Sequence, residues 1–306
     1  MRAGRLFRSR TEHSESSKER SAAVNDPADV VDAVGAQGTR CTTPCGQGRM
    51  VWRIWGDGPQ LLLLHGGHGS WTHWIRAIPE LSQHFRVIAP DLPGLGESDM
   101  PPEPYSAESL TTIVAGGLDD VVQGESPLDV AGFSFGAIVA GHLAKLRPAQ
   151  VHRLVLVGAG GLGLPRGRTD GLTKWRRIGD SQRLLAAHRA NLEALMIHDP
   201  ANVDDLAVYL QFENTRRARL RSRPIAFSDT LRRALSAGDV SLAGIWGQYD
   251  ATVGGHMAEY EALIHALRPG AEFRIIDGAG HWVAYEAPRR FAATLLSVLG
   301  RAELRS

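Results

Sequence analysis

The chain has 306 residues, 43% of them hydrophobic, with 34 basic and 33 acidic side chains and a formal net charge of +1. That length and apolar content suffice for one large globular core, and so even a charge balance points to neither nucleic acid nor a membrane surface as partner. The only two cysteines, Cys41 and Cys45, can build neither a disulfide framework nor, unaided, a four-ligand zinc site.

Residues 1–37 interleave Ser, Glu, Lys and Arg without periodicity. Such a stretch cannot bury enough apolar surface to offset its ordering entropy, so a disordered tail is expected. It has no apolar signal core, and Glu12, Glu15 and Glu19 do not suit a transit peptide. No run approaches the ~18–20 apolar residues of a membrane span. A cytoplasmic protein is expected, with self-association left open.

Two extended runs, 39–43 and 49–55, are separated by Pro44, Gly46 and Gly48 and read as a hairpin. Residues 61–64 are four leucines, too continuously apolar for a half-exposed strand and suited to one buried on both faces. After a loop at 65–74 come a helix to about 81, a strand at 86–89, a loop at 91–98 and a helix at 107–122. A buried strand is predicted at 128–133, a helix at 135–145 and a strand at 153–157. Alternation at these lengths implies a parallel sheet covered by helices on both faces. From 162 to 239 the alternation stops, and helical stretches at 168–178, 180–196, 203–221 and 228–237 read as a lid inserted into the core. Strands return at 242–246 and 272–276, with helices at 256–267 and 288–299. The expected organisation is therefore an α/β core, 38–161 and 240–306, with a mostly parallel eight-stranded sheet and a helical lid, 162–239.

The chemistry gathers at strand ends. Gly132-Phe133-Ser134-Phe135-Gly136 places Ser134 at the joint between a buried strand and a helix, flanked by glycines small enough for a tight turn. A serine hydroxyl is a weak nucleophile by itself and needs a base, which in turn needs an orienting partner. Asp250 and His281 both lie just past predicted strands, at the same edge as Ser134. The NH of Phe135, at a helix N-terminus, would supply half of an oxyanion hole. The glycine-rich loop His65-Gly66-Gly67-His68-Gly69 would supply the other half from Gly67 or His68, with Gly67 preferred. His68 and His73 have no carboxylate or third histidine at ligand spacing, so no metal is expected.

These features together resemble the α/β-hydrolase superfamily over residues 38–300. The resemblance rests on the His-Gly-Gly loop at 65–67, the Asp-x-Pro-Gly-x-Gly-x-Ser segment at 91–98, the Ser134 elbow, the Asp250 loop, and His281 trailed by Glu286 and Pro288. It implies Ser134 as nucleophile, His281 as general base, Asp250 as its orienter, and no cofactor. The His281-Trp282 and Tyr285-Glu286 segments are similar to those of the meta-cleavage product hydrolases, which split a carbon–carbon bond in ring-fission dienoates. Phe133 stands where those enzymes carry Asn, and Glu213 where their lid carries a carboxylate-binding arginine. A small or medium ester or thioester is therefore the expected substrate, with a dienoate as the alternative. His68 and Trp282 are expected to line the pocket, and Arg216 and Arg217, from the run 216–223, to hold a substrate anion.

Overall fold

The computed structural model of the protein describes residues 26–122, 124, 127–167 and 171–301. In chain order the strands are β1 (Thr39–Cys45), β2 (Gly48–Trp55), β3 (Gln60–Leu64), β4 (Arg86–Pro90), β5 (Leu128–Phe133), β6 (Val151–Val157), β7 (Ser241–Gly247) and β8 (Glu272–Ile276). They form one sheet in the order β1-β2-β4-β3-β5-β6-β7-β8. Strand β2 runs antiparallel to β1 and β4, and every other pairing is parallel.

Successive side chains of a strand point to opposite faces, and β3 makes the consequence plain. Leu62 and Leu64 join Ile88, Val130 and Ile138 in a core on one face of the sheet. Leu61 and Leu63 join Val87, Ala89 and Phe291 in a second core on the other face. All four leucines are buried, each stabilising the fold by roughly 1.5–3 kcal/mol relative to exposure. One face is covered by α3 (Ala107–Val121) and α4 (Phe135–Leu146), the other by α2 (Ile78–Leu81) and α11 (Pro288–Val298), with α9 (Met257–Leu267) packing beside β7. Among the described residues no helix is long and apolar enough to cross a membrane.

The expected disordered tail needs correction. Residues Pro27–Ala36 form helix α1, opened by a proline in its first turn and capped by Asp26, whose carboxylate accepts the Ala28 NH at 3.0 Å. Val30, Val31 and Val34 pack onto the second core, and the Trp55 indole donates to the Val34 carbonyl at 2.8 Å. Three valines at near-helical spacing are enough once the sheet edge offers them a partner; in the sequence they are diluted by polar neighbours. Residues 1–25 of that expected tail lie outside the described residues.

Between β6 and β7 the chain forms α5 (Ser181–Leu195), α6 (Asp205–Arg217), α7 (Arg223–Ala226) and α8 (Thr230–Ser236). The helix expected at 168–178 is absent over 171–178, the preceding three residues lying outside the described set. There the backbone is satisfied from outside: the Asn191 amide accepts the Thr173 NH at 2.7 Å and donates to its carbonyl at 3.0 Å. Helix α6 stops short of the expected 221 because the NH groups of Arg219 and Leu220 both turn to the Gly94 carbonyl, at 2.9 and 3.1 Å.

Candidate active site

Strands β3, β5, β6, β7 and β8 run in one direction, so the residues that follow them share one edge, where open parallel sheets bind ligands. Ser134 follows β5 and caps α4 with φ 51° and ψ −109°, a strained conformation for a residue with a side chain, costing roughly 1–3 kcal/mol. The surroundings impose it. The Ser134 NH donates to Val157 at 2.8 Å, and its carbonyl accepts the Gly160 NH at 3.1 Å. A β-carbon on Gly136 would meet the His65 carbonyl oxygen at 2.6 Å, so only glycine lets α4 approach β3 this closely.

Asp250 follows β7 and His281 follows β8; both are buried, and His281 Nδ1 lies 2.8 Å from Asp250 Oδ2. The other carboxylate oxygen accepts the NH and the hydroxyl of Thr252, at 2.8 and 2.7 Å. Burial by itself would raise the Asp250 carboxyl, but the charge and hydrogen bond of His281, with the two bonds from Thr252, outweigh it and hold the carboxyl below its ordinary value. An ionised carboxylate only accepts, so Nδ1 of His281 carries a proton whether or not the ring is charged, and in the neutral ring Nε2 is the acceptor. Gly158, at φ 51°, makes room for the pair, since a β-carbon there would stand 3.0 Å from His281 Nδ1. On the other side the Phe133 ring lies 4.8 Å from the imidazole. Glu286, on α10 (Val283–Glu286), fixes the loop: its carboxylate accepts the NH groups of Gly280, His198 and Asp199 at 2.7, 3.0 and 2.8 Å.

The glycine-rich loop is held by two histidines. His65 Nε2 accepts the Leu92 NH at 2.8 Å, which leaves Nδ1–H to donate to the Gly66 carbonyl at 2.8 Å. Burial lowers its pKa to about 4, so the ring is neutral. His73 Nδ1 accepts the Gly66 NH at 3.2 Å, and burial, with the neighbouring histidines His65, His281 and His68, pushes its pKa well down. Gly67 stands beside the first residue of α4, where a β-carbon would lie 3.7 Å from that of Phe135, and the Ser222 side chain lies against it. His68 takes a left-handed φ of 52°, and burial and the nearby charge of Arg176 lower its pKa.

Two substrate-binding expectations need correction. Arg216 and Arg217 are committed elsewhere: Arg216 pairs with Glu213 at 2.7 Å, and Arg217 bridges Glu213 and Glu97 at 3.1 and 3.3 Å. Arg217 lines a separate cavity of about 320 Å³, between α1, α6 and Trp71, that does not include Ser134. A run of arginines on a helix end finds the acidic residues of its own and the adjoining surface first. Trp282 is a core residue, its ring stacked on Tyr285 at 4.2 Å and its indole NH given to the His73 carbonyl at 2.7 Å. Conversely, Thr252 and the supporting parts played by His65, His73 and Glu286 emerge only in the folded chain. For Thr252 a sequence signal does exist, since an Asp often bonds the backbone NH two residues on; the others depend on contacts between distant segments.

A model of the alpha/beta hydrolase family matches residues 61–294. An uncharacterized protein of Mycobacterium bovis is 32% identical over 272 residues, covering 79% of this chain and 76% of its own. The 2-hydroxy-6-oxo-2,4-heptadienoate hydrolase of Pseudomonas putida is 28% identical over 254 residues, covering 77% of this chain and 87% of its own. Among solved structures, the esterase RhEst1 from Rhodococcus sp. superposes with a TM-score of 0.69 at 22% identity, covering 86% of this chain and 98% of its own.

Proposed function

The chain belongs to the alpha/beta hydrolase family, and from that premise we propose that it is a serine hydrolase of small or medium carboxylic esters or thioesters. The observation that carries the reading is the buried Asp250–His281 pair, 2.8 Å apart, at the same sheet edge as a serine held at φ 51°. In this mechanism Nε2 of His281 takes the Ser134 proton as the hydroxyl attacks the carbonyl, and Asp250, fixed by Thr252, stabilises the imidazolium and its tautomer. The NH groups of Phe135 and Gly67 receive the oxyanion. His281 then protonates the leaving group, and water, activated by the same imidazole, hydrolyses the acyl-serine. No step calls for a cofactor. The segment 162–239 acts as a lid, and its Ser222 side chain, set against Gly67, bounds the site from above.

A second reading, hydrolysis of a carbon–carbon bond in a dienoate, is supported by the extent of the match to the heptadienoate hydrolase. Against it stand the apolar Phe133 ring beside His281 and the commitment of Arg216 and Arg217 to surface carboxylates. The test is a comparison of kcat/KM for p-nitrophenyl butyrate and for a yellow ring-fission dienoate that bleaches on cleavage. The ester is expected to be the better substrate; faster bleaching of the dienoate would refute the ester reading in favour of the second.

A further inference from the structure

Arg166 is a basic side chain near the Ser134 elbow that the mechanism leaves unused. It lies between β6 and α5, where the Gly167 NH donates to the Thr252 carbonyl at 2.9 Å and so ties the segment to the Asp250 loop. Its guanidinium stands close to the elbow: a β-carbon on Gly160, whose NH bonds the Ser134 carbonyl, would lie 3.6 Å from Arg166 Nη1.

Among the described residues this guanidinium is poorly partnered: its Nε is buried without a hydrogen bond, and Nη1 reaches only the Ala226 carbonyl, at a long 3.5 Å. Among the described residues it forms no ion pair, and of the arginines described in this insertion it is the one whose buried Nε has no hydrogen bond. Its Cζ lies over the Phe227 ring, 4.8 Å from the ring centre. A cation–π contact of this kind holds the guanidinium by its charge and leaves N–H groups for an acceptor, and the fork they form matches a carboxylate. Among the described residues, a buried donor without a hydrogen bond next to the backbone of the Ser134 elbow is an unfilled site, and an anion fills it.

We propose that Arg166 anchors a free carboxylate on the acyl chain of the substrate, so that the enzyme prefers monoesters or monothioesters of short dicarboxylic acids. The inference rests on the serine hydrolase reading above. The acyl side follows from position: an anchor next to the Ser134 backbone holds the chain both before attack and while it is bound to the serine.

The test uses the full chain with p-nitrophenyl hydrogen glutarate and its methyl-capped, neutral counterpart. The wild type is expected to favour the anionic ester by roughly 10- to 100-fold in kcat/KM, the range for a charge-assisted hydrogen-bonded pair. Arg166→Gln is expected to collapse that preference through a higher KM for the anionic ester, and Arg166→Lys to restore part of it. A wild type without the preference, or an R166Q variant that slows both esters by the same factor, would overturn the proposal while leaving the hydrolase reading intact. Failure to hydrolyse either ester, together with no fluorophosphonate labelling of Ser134, would instead refute the hydrolase reading and the proposal with it.

Discussion

His65 makes the stability of the fold depend on pH in a calculable way. Its neutral ring uses both nitrogens, accepting from Leu92 and donating to Gly66, and a second proton would set N–H against N–H at Leu92. The folded-state pKa of about 4 lies well below the 6.5 of an exposed histidine. Above pH 6.5 both folded and unfolded states are neutral at this site and its contribution is fully present. As pH falls towards 4 the unfolded chain takes up the proton and the folded chain does not, so stability is lost. Integrated from pH 7.5 to 4.5, the loss from this one group is about 2.5 kcal/mol. His65→Gln keeps an acceptor for Leu92 and a donor for Gly66 but cannot titrate. Urea unfolding of both proteins at the two pH values isolates the effect as a double difference. The wild type is expected to lose about 2–3 kcal/mol more than the variant on acidification. Equal pH dependence in the two proteins would refute the assignment of a neutral, doubly bonded ring.

Three further substitutions probe the site's supports. Thr252→Val removes the hydroxyl that bonds Asp250 Oδ1 at 2.7 Å, so the carboxyl is expected to titrate higher, moving the acid limb of the kcat/KM profile to higher pH and lowering the plateau by roughly tenfold. Glu286→Gln replaces a charged acceptor of three backbone NH groups with a neutral one, and should cost about 1.5–3 kcal/mol in urea unfolding, with activity falling as the His281 loop loosens. His188, buried in α5 between Trp175 and Phe212, has no hydrogen-bond partner for either ring nitrogen among the described residues, and burial lowers its pKa to about 4. His188→Leu is therefore expected to raise stability by about 1 kcal/mol at pH 7.5 and by more at pH 5, read from the same denaturation curves.

The parts of the fold legible in the sequence are those decided by local pattern. Four successive leucines at 61–64 can only serve a strand buried on both faces, and β3 is one. A serine between glycines after an apolar run can only mark a tight turn, and Ser134 sits in one at positive φ. What escaped depends on partners distant in sequence. The valines of α1 gain meaning only against Trp55 and its neighbours, and within 171–178 the Asn191 side chain takes the NH and carbonyl of Thr173 that a helix would use. The arginines at 216 and 217 show the same limit: their charge is evident in the sequence, but the carboxylate of Glu97 that takes Arg217 is 120 residues away. Arg166 escaped for another reason: in the sequence it is one arginine among many, two residues from Arg168, and only the fold shows its Nε buried without a hydrogen bond among the described residues.

The central claim is that Ser134 is a nucleophile activated by His281 and Asp250. Its most direct test is mass-spectrometric mapping of a fluorophosphonate adduct on the folded full chain. Wild type is expected to carry one adduct per chain, on Ser134, with labelling abolished in Ser134→Ala and slowed by roughly 10³-fold or more in Asp250→Asn. A folded wild type that takes up no label at Ser134, or an Asp250→Asn variant labelled at the wild-type rate, would contradict the account.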